Sequence, residues 1–239
     1  MLTIGMLGGM SWESSALYYR LANELVRDQL GGVHSASVIL HSVDFAVIEK
    51  LQAAAEWNEA GRILATAARG LETAGADLLV LCTNTMHKVA GQIEEAVSIP
   101  LVHIADATAD VVIERHVGTV GLLGTAFTME QRFYIERLEQ RGVSVVVPNA
   151  DDRAFVHQVI YDELVLGVIK DESRQGYREV IGRLIDAGAE GIILGCTEIE
   201  LLVGTTDSAV PVFPTTRLHI EAAVRYALAD APGRDSMGA

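Results

Sequence analysis

Two short polar clusters, half a chain apart, carry residue types that can move protons or hold an anion. The first is Thr83-Asn84-Thr85 in "GADLLVLCTNTMHK" (75–88), directly after Cys82. The second is Cys196-Thr197-Glu198 in "GIILGCTEIE" (191–200). Each follows an apolar run and precedes a helix-period segment, so each reads as a strand-to-helix junction. In open α/β sheets such junctions face the ligand, with free backbone N–H groups at the helix start. A helix N-terminus also lowers the pKa of a nearby thiol, so Cys196 is expected to ionise below the ~8.5 of a free cysteine. Two further junctions, Gly8-Gly9-Met10-Ser11 and Gly124-Thr125, have the same character. Short hydroxyl and amide side chains beside main-chain N–H groups suit a small anion such as a carboxylate.

The elements that must position these clusters alternate along the chain. Apolar runs at 2–7, 37–43, 78–82, 99–102, 118–123, 143–147, 191–195 and 210–213 read as strands. Helical segments fall near 13–30, 57–74, 85–97, 105–116, 128–141, 152–166, 173–188, 198–203 and 215–229. The strands are continuous Val/Ile/Leu runs, the pattern of parallel sheets covered on both faces, and an α/β fold follows. The halves also resemble each other. "TIGMLGGMSWESSALYYRLANEL" (3–25) parallels "TVGLLGTAFTMEQRFYIERLEQ" (119–140), and "AGADLLVLCTNT" (74–85) parallels "AGAEGIILGCTE" (187–198). "IPLVHIADATADVVI" parallels "VPVFPTTRLHIEAAV". A repeat of this length means duplicated domains. The expectation is two similar four-stranded parallel-sheet α/β domains related by pseudo-two-fold symmetry, with the active site in the interdomain cleft. Residues 1–103 plus 214–231 would form the first domain, 104–213 the second, and 232–239 a flexible tail.

The repeat also sets the register of the chemistry. With the Ala-Gly-Ala triplets aligned at an offset of 113, Cys196 matches Thr83, and Cys82 matches Gly195. Neighbouring side chains in extended backbone point to opposite sides, so Thr83 rather than Cys82 is equivalent to Cys196.

Bulk composition narrows the partners. A formal charge of −14 over 239 residues argues against nucleic-acid binding, which needs a basic surface. The two cysteines make neither a disulfide framework nor a zinc site. The start "MLTIGMLGG" has no positive leader, and no apolar run approaches the ~20 residues of a membrane span. A cytoplasmic address without membrane association is expected.

The motifs Thr83-Asn84-Thr85-Met86-His87 and Gly195-Cys196-Thr197-Glu198 resemble the "CNT-x-H" and "GCTE" of the cofactor-independent aspartate/glutamate racemase family. The opening "IGMLGGMSWESSALYY" is similar to the family's "GxxGGM" start, and the likeness runs to about residue 230. It looks closest to the aspartate/glutamate-specific or broad-specificity amino-acid racemases with "LCTNTMHK". The resemblance implies an amino-acid substrate such as aspartate or glutamate, no pyridoxal phosphate or other cofactor, no metal and a homodimer. It also implies a two-base mechanism, one group on each face of the α-carbon. Where the family has its first cysteine this chain has Thr83, so Cys196 is the expected base and Thr83 the opposing acid, with Cys82 the fallback. Turnover of the two enantiomers should then be kinetically unequal.

Other residues carry both a functional and a structural reading. Met10, Ser11 and Thr125 are candidate substrate contacts or helix starts. Asn84 and Thr85 are contacts or turn residues. Thr197 with Glu200 has capping-box spacing, and Glu198 suits the positive end of a helix; the resemblance places Thr197 and Glu198 in the site. His41, Ser42 and Asp44 end the second strand, Gln52 follows in a loop as a contact for a side-chain carboxylate, and His87 reads as a structural hydrogen-bonder. Lys170 resembles the family lysine that pairs with the distal carboxylate of aspartate. Rival functions are a hydantoin racemase, maleate isomerase or arylmalonate decarboxylase on the same scaffold, or a non-catalytic acidic amino-acid binding protein.

Overall fold

A computed structural model describes residues 1–229; the expected tail at 232–239 lies outside them. In chain order the elements are β1 (Ile4–Gly8), α1 (Trp12–Leu30), β2 (Val38–Ser42), α2 (Phe45–Ala53), α3 (Trp57–Thr73) and β3 (Leu78–Leu81). A 3-10 turn (Thr85–Val89) leads to α4 (Ala90–Glu94), β4 (Leu101–Val102) and α5 (Ile104–Glu114). Then come β5 (Thr119–Gly124), α6 (Ala126–Glu130), α7 (Arg132–Gln140), β6 (Ser144–Val146), α8 (Ala150–Asp162) and α9 (Asp171–Asp186). The described chain ends with β7 (Gly191–Gly195), α10 (Ile199–Leu202), β8 (Val212–Pro214) and α11 (Thr215–Ala229).

The strands form two four-stranded parallel sheets, ordered β2-β1-β3-β4 and β6-β5-β7-β8. The chain divides into two compact units. One comprises Met1–Cys82, Val89–His103 and the described residues from His219 on; the other comprises Thr83–Lys88 and Ile104–Leu218. This differs from the sequence expectation, which gave 83–88 and 214–218 to the first domain.

The duplication holds to single hydrogen bonds. In the first sheet Leu7 pairs with Leu81, and in the second Leu123 pairs with Leu194, the register that equates Thr83 with Cys196. Thr3 N–H donates to the Asp77 carboxylate at 2.6 Å, and Thr119 N–H donates to Glu190 at 3.2 Å. Leu79 N–H bonds Pro100 O, as Ile192 N–H bonds Pro211 O, each at its own sheet edge. The turns before β3 and β7 both pass through glycines at φ +99°, Gly75 and Gly188, a conformation that side-chain-bearing residues rarely adopt.

Alternation places β-strand side chains on both covered faces. In the second unit Leu123, Ile192, Leu194 and Cys196 join Val156 and Tyr177 in one core. Leu122 and Ile193 join Ile104, Tyr134 and Phe213 in another. In the first unit Ile4, Met6, Val80 and Cys82 pack with Tyr18, Val26, Ile220 and Val224. Each fully buried aliphatic side chain contributes roughly 1.5–3 kcal/mol.

Helix boundaries departed from the sequence reading where side chains intervene. Residues 45–53 form a helix rather than a loop, because the Asp44 side chain accepts from Ala46 N–H and caps it. Gln52 is therefore a buried helix residue, 4% exposed, rather than a loop contact. The expected helix 85–97 opens as a 3-10 turn. That at 128–141 breaks at Gln131, whose backbone is extended (φ −93°, ψ 140°). That at 152–166 ends at Asp162, and a 3-10 turn then closes on the left-handed Gly167.

His219 is a buried lock in the first unit. Its Nε2–H donates to Val102 O at 2.7 Å, and Nδ1 accepts from the Tyr18 hydroxyl at 2.9 Å. Burial pushes the imidazole down to about 4. The unfolded chain binds a proton at about 6.5 and the folded one does not until near 4, so stability is complete above pH 6.5 and falls as pH drops to about 4. Acid titration monitored by chemical denaturation should show a loss of up to about 3 kcal/mol across that window. His219→Gln should flatten that slope.

Candidate functional site

The segment Thr83–Lys88 leaves the end of β3 and is fastened into the second unit by its own side chains. Thr85 Oγ1 lies 3.1 Å from Thr125 Oγ1, at the β5–α6 junction. Thr125 in turn caps α6, its hydroxyl accepting from Thr128 N–H at 3.4 Å. Lys88 Nζ donates to Gln131 Oε1. The His87 ring is 3% exposed and accepts at Nε2 from Ile104 N–H (3.2 Å). That leaves Nδ1 protonated, donating to Thr83 O at 2.7 Å. His87 thus pins the Thr83 backbone to the start of α5. The Thr83 side chain is half-buried, and its hydroxyl makes no hydrogen bond among the described residues.

Asn84 shows a second tie. Thr215 Oγ1 donates to Leu194 O at 2.8 Å and accepts from Asn84 Nδ2 at 3.0 Å. Asn84 is 5% exposed, and its Oδ1 is buried with no hydrogen-bond partner among the described residues. An unpaired buried amide oxygen costs about 1–3 kcal/mol, so this acceptor is one that a ligand donor would relieve.

The Cys196 loop lies at the end of β7. Cys196 is 9% exposed, and its Sγ–H donates to Glu198 Oε2 at 2.9 Å. Burial, then the charge and hydrogen bond of Glu198, hold this thiol well above its ordinary value. This corrects the expected low thiol pKa. The helix-start effect is real, since the N–H groups of Glu198 and Ile199 pull the other way, but it is outweighed. The following helix, α10, has only four residues.

The expected Thr197–Glu200 capping box is also replaced. Glu200 Oε1 accepts from Thr216 N–H at 3.3 Å, and Thr197 Oγ1 accepts from Thr216 Oγ1 at 3.1 Å. Burial, aided by Glu198 and opposed by Thr216 and Arg217, pushes the Glu200 carboxyl up to about 7.

The remaining candidates are placed as follows. Cys82 ends the first unit's segment, fully buried in its core, with Sγ 3.7 Å from Val80 O and its thiol raised by burial. Met10 and Ser11 are buried in the first unit, where Ser11 Oγ accepts from Ser14 N–H at 3.2 Å and caps α1. The turn before them needs glycine: Gly9 has φ +93°, and a Cβ there would come within 2.2 Å of Val43 O. Gln52 belongs to the same unit. Lys170, 51% exposed at its side chain, is paired with Glu163 at 3.0 Å, and Ser173 Oγ also donates to Glu163, at 2.6 Å. The structure thus joins Thr83, Asn84, Thr85, Thr125, Thr197, Glu198 and Cys196 within one unit, with Met10, Ser11 and Gln52 in the other.

Sequence reasoning missed Thr215 and Thr216. The signal was in the repeat: "VFPTTR" aligns with "LVHIAD", so Thr215 is equivalent to Ile104. Both begin helices, and both receive a side chain from the 83–88 segment. Among the described residues no group of three His, Cys, Asp or Glu is arranged to hold a metal ion, and no helix is long and apolar enough to cross a membrane.

Residues 7–223 match the profile of the family described as Asp/Glu/Hydantoin racemase. A crystal structure from Yersinia pestis, described only provisionally as an Asp/Glu racemase, shares 53% identity with a TM-score of 0.91, covering 95% of this chain and 100% of that one. An aspartate racemase homologue from Pyrococcus horikoshii OT3 shares 34% identity with a TM-score of 0.84, covering 95% of this chain and 100% of that one. The broad specificity amino-acid racemase RacX of Bacillus subtilis (strain 168) is 25% identical over 163 residues, 66% of this chain and 68% of that protein.

Proposed function

We propose, from the premise that this chain belongs to the Asp/Glu/Hydantoin racemase family, that it is an amino-acid racemase working without pyridoxal phosphate or metal. Cys196 and Thr83 exchange the α-proton on opposite faces of the substrate. Acidic amino acids are the expected class, aspartate first, in keeping with the aspartate racemase homologue of Pyrococcus horikoshii OT3. In the same reading the enzyme is a cytoplasmic homodimer, the commonest symmetric assembly.

The observation that carries this reading is the Cys196–Glu198 hydrogen bond at 2.9 Å. At rest the thiol keeps its proton, because a thiolate beside a carboxylate in a buried site is doubly unfavourable. With substrate in place, Glu198 Oε2 takes the Cys196 proton and the thiolate removes the α-proton. The electron pair left behind spreads into the substrate carboxylate, which backbone N–H groups and the short side chains of Thr85, Thr125 and Thr197 hold. The Thr83 hydroxyl, which makes no hydrogen bond among the described residues, delivers a proton to the other face and is recharged through water. The reverse direction asks Thr83 to accept, and a hydroxyl is a far weaker acid than a thiol, so kcat and KM differ between the two directions while their ratio is the same in both. Haldane balance keeps the equilibrium constant between the enantiomers near one.

The test is incubation of the purified protein in deuterated buffer with L- and D-aspartate, L- and D-glutamate and several neutral amino acids. Deuterium at the α-carbon together with inversion, fastest for an acidic substrate, supports the reading. A thermal shift with aspartate but no incorporation would convert it to a binding protein.

A further inference from the structure

The amide of Asn84 can sit in two ways, differing by exchange of its nitrogen and oxygen, and one hydroxyl decides between them. The Thr215 proton is spent on Leu194 O, 2.8 Å away. Its oxygen can then only accept, and the group 3.0 Å from it must be the Asn84 NH2. The opposite end of the amide is consequently Oδ1, buried and without a partner among the described residues. Thr215 is itself 0% exposed, at the first position of α11, so it makes no ligand contact through solvent-exposed surface. A bare amide oxygen with two lone pairs selects a hydrogen-bond donor and repels a carboxylate or carbonyl.

We propose that Thr215 is a positioning residue that locks the Asn84 amide in the orientation offering Oδ1 to the α-ammonium group of an amino acid. The proposal rests on the amino-acid reading above and deepens it. Selection between an amino acid and the same carbon skeleton without nitrogen is set by a threonine that touches neither. Without the hydroxyl the amide turns over freely, and its NH2 face is presented to the ligand as often as its oxygen. The hydrogen bond to a cationic donor is then lost in part of the population and replaced by repulsion.

The experiment measures dissociation constants of aspartate and of succinate, which is aspartate without its ammonium group, by calorimetry on wild type, Thr215→Val and Thr215→Ser. Wild type is expected to prefer aspartate by about tenfold or more, the scale of one hydrogen bond to a charged group. Thr215→Val, which keeps shape and removes the hydroxyl, should bring that ratio close to one. Thr215→Ser should restore it. A structural role alone would weaken both ligands together and leave the ratio unchanged, and that result overturns the inference. Should Thr215→Val fail to fold, Thr215→Ala supplies the same ratio in a smaller side chain. Wild type binding aspartate no better than succinate would overturn the inference alone. Wild type binding no amino acid of the panel would overturn the amino-acid reading, and the inference with it.

Discussion

A Cys196→Ala enzyme is expected to lose α-proton exchange and inversion together, from both enantiomers, by at least about a thousandfold. Acid–base catalysis by one positioned group contributes about 10²–10⁴-fold. In the proposed mechanism Cys196 serves in each direction, as base in one and as acid in the other, so neither enantiomer escapes its loss. In the proposed mechanism Glu198 does not substitute at the α-carbon, because its part is to accept the proton of the Cys196 thiol, 2.9 Å away. The variant should still fold. The sulfur is one member of a core that includes Tyr177, Ile199 and Leu202, and trimming it costs about 1 kcal/mol. Deuterium incorporation by mass spectrometry and inversion by chiral chromatography check this, with a thermal melt as the folding control.

The second large effect separates exchange from inversion. Thr83→Ala is expected to reduce inversion about a hundredfold, the lower range for losing one acid–base group. The enantiomer that presents its α-proton to Cys196 should nevertheless keep exchanging. The thiolate removes the proton, the thiol exchanges with solvent, and a deuteron returns to the same face. The opposite enantiomer has no base on its side and should not exchange. Such a split is the signature of one acid–base group on each face of the α-carbon, with Thr83 supplying the face opposite Cys196. The geometry that suits Thr83 to the proposed role is the His87 staple at 2.7 Å, which fixes the Thr83 backbone through its carbonyl.

Much of the architecture was legible because the physics that encodes it is local and repeated. Eight apolar runs became eight strands, and the matched Ala-Gly-Ala triplets fixed the register that equates Thr83 with Cys196. What was not legible depended on side chains far apart in sequence. The Cys196 thiol was expected to ionise easily from its place near a helix start, yet burial and a carboxylate two residues on prevail. Capping-box spacing predicted Thr197 and Glu200 bonded within one turn, whereas both turn to Thr216 at the start of α11. The α2 helix escaped notice because nine residues give little periodicity, and its Asp44 cap read as the end of a strand. The grouping of 83–88 with the second unit arises from hydrogen bonds to Ile104, Thr125, Gln131 and Thr215, partners no local pattern announces.

In the proposed mechanism one thiol, Cys196, works against a threonine rather than against a second cysteine. Cys82 is enclosed in the first unit's core, and burial raises its thiol well above the ordinary cysteine range. The most direct measurement is the ratio of deuterium wash-in to inversion, from each enantiomer of aspartate, for Cys82→Ala and Thr83→Ala. Cys82→Ala should keep the wild-type ratio, and Thr83→Ala should show wash-in without inversion from one enantiomer only. Loss of activity in Cys82→Ala with Thr83→Ala unaffected would contradict that mechanism.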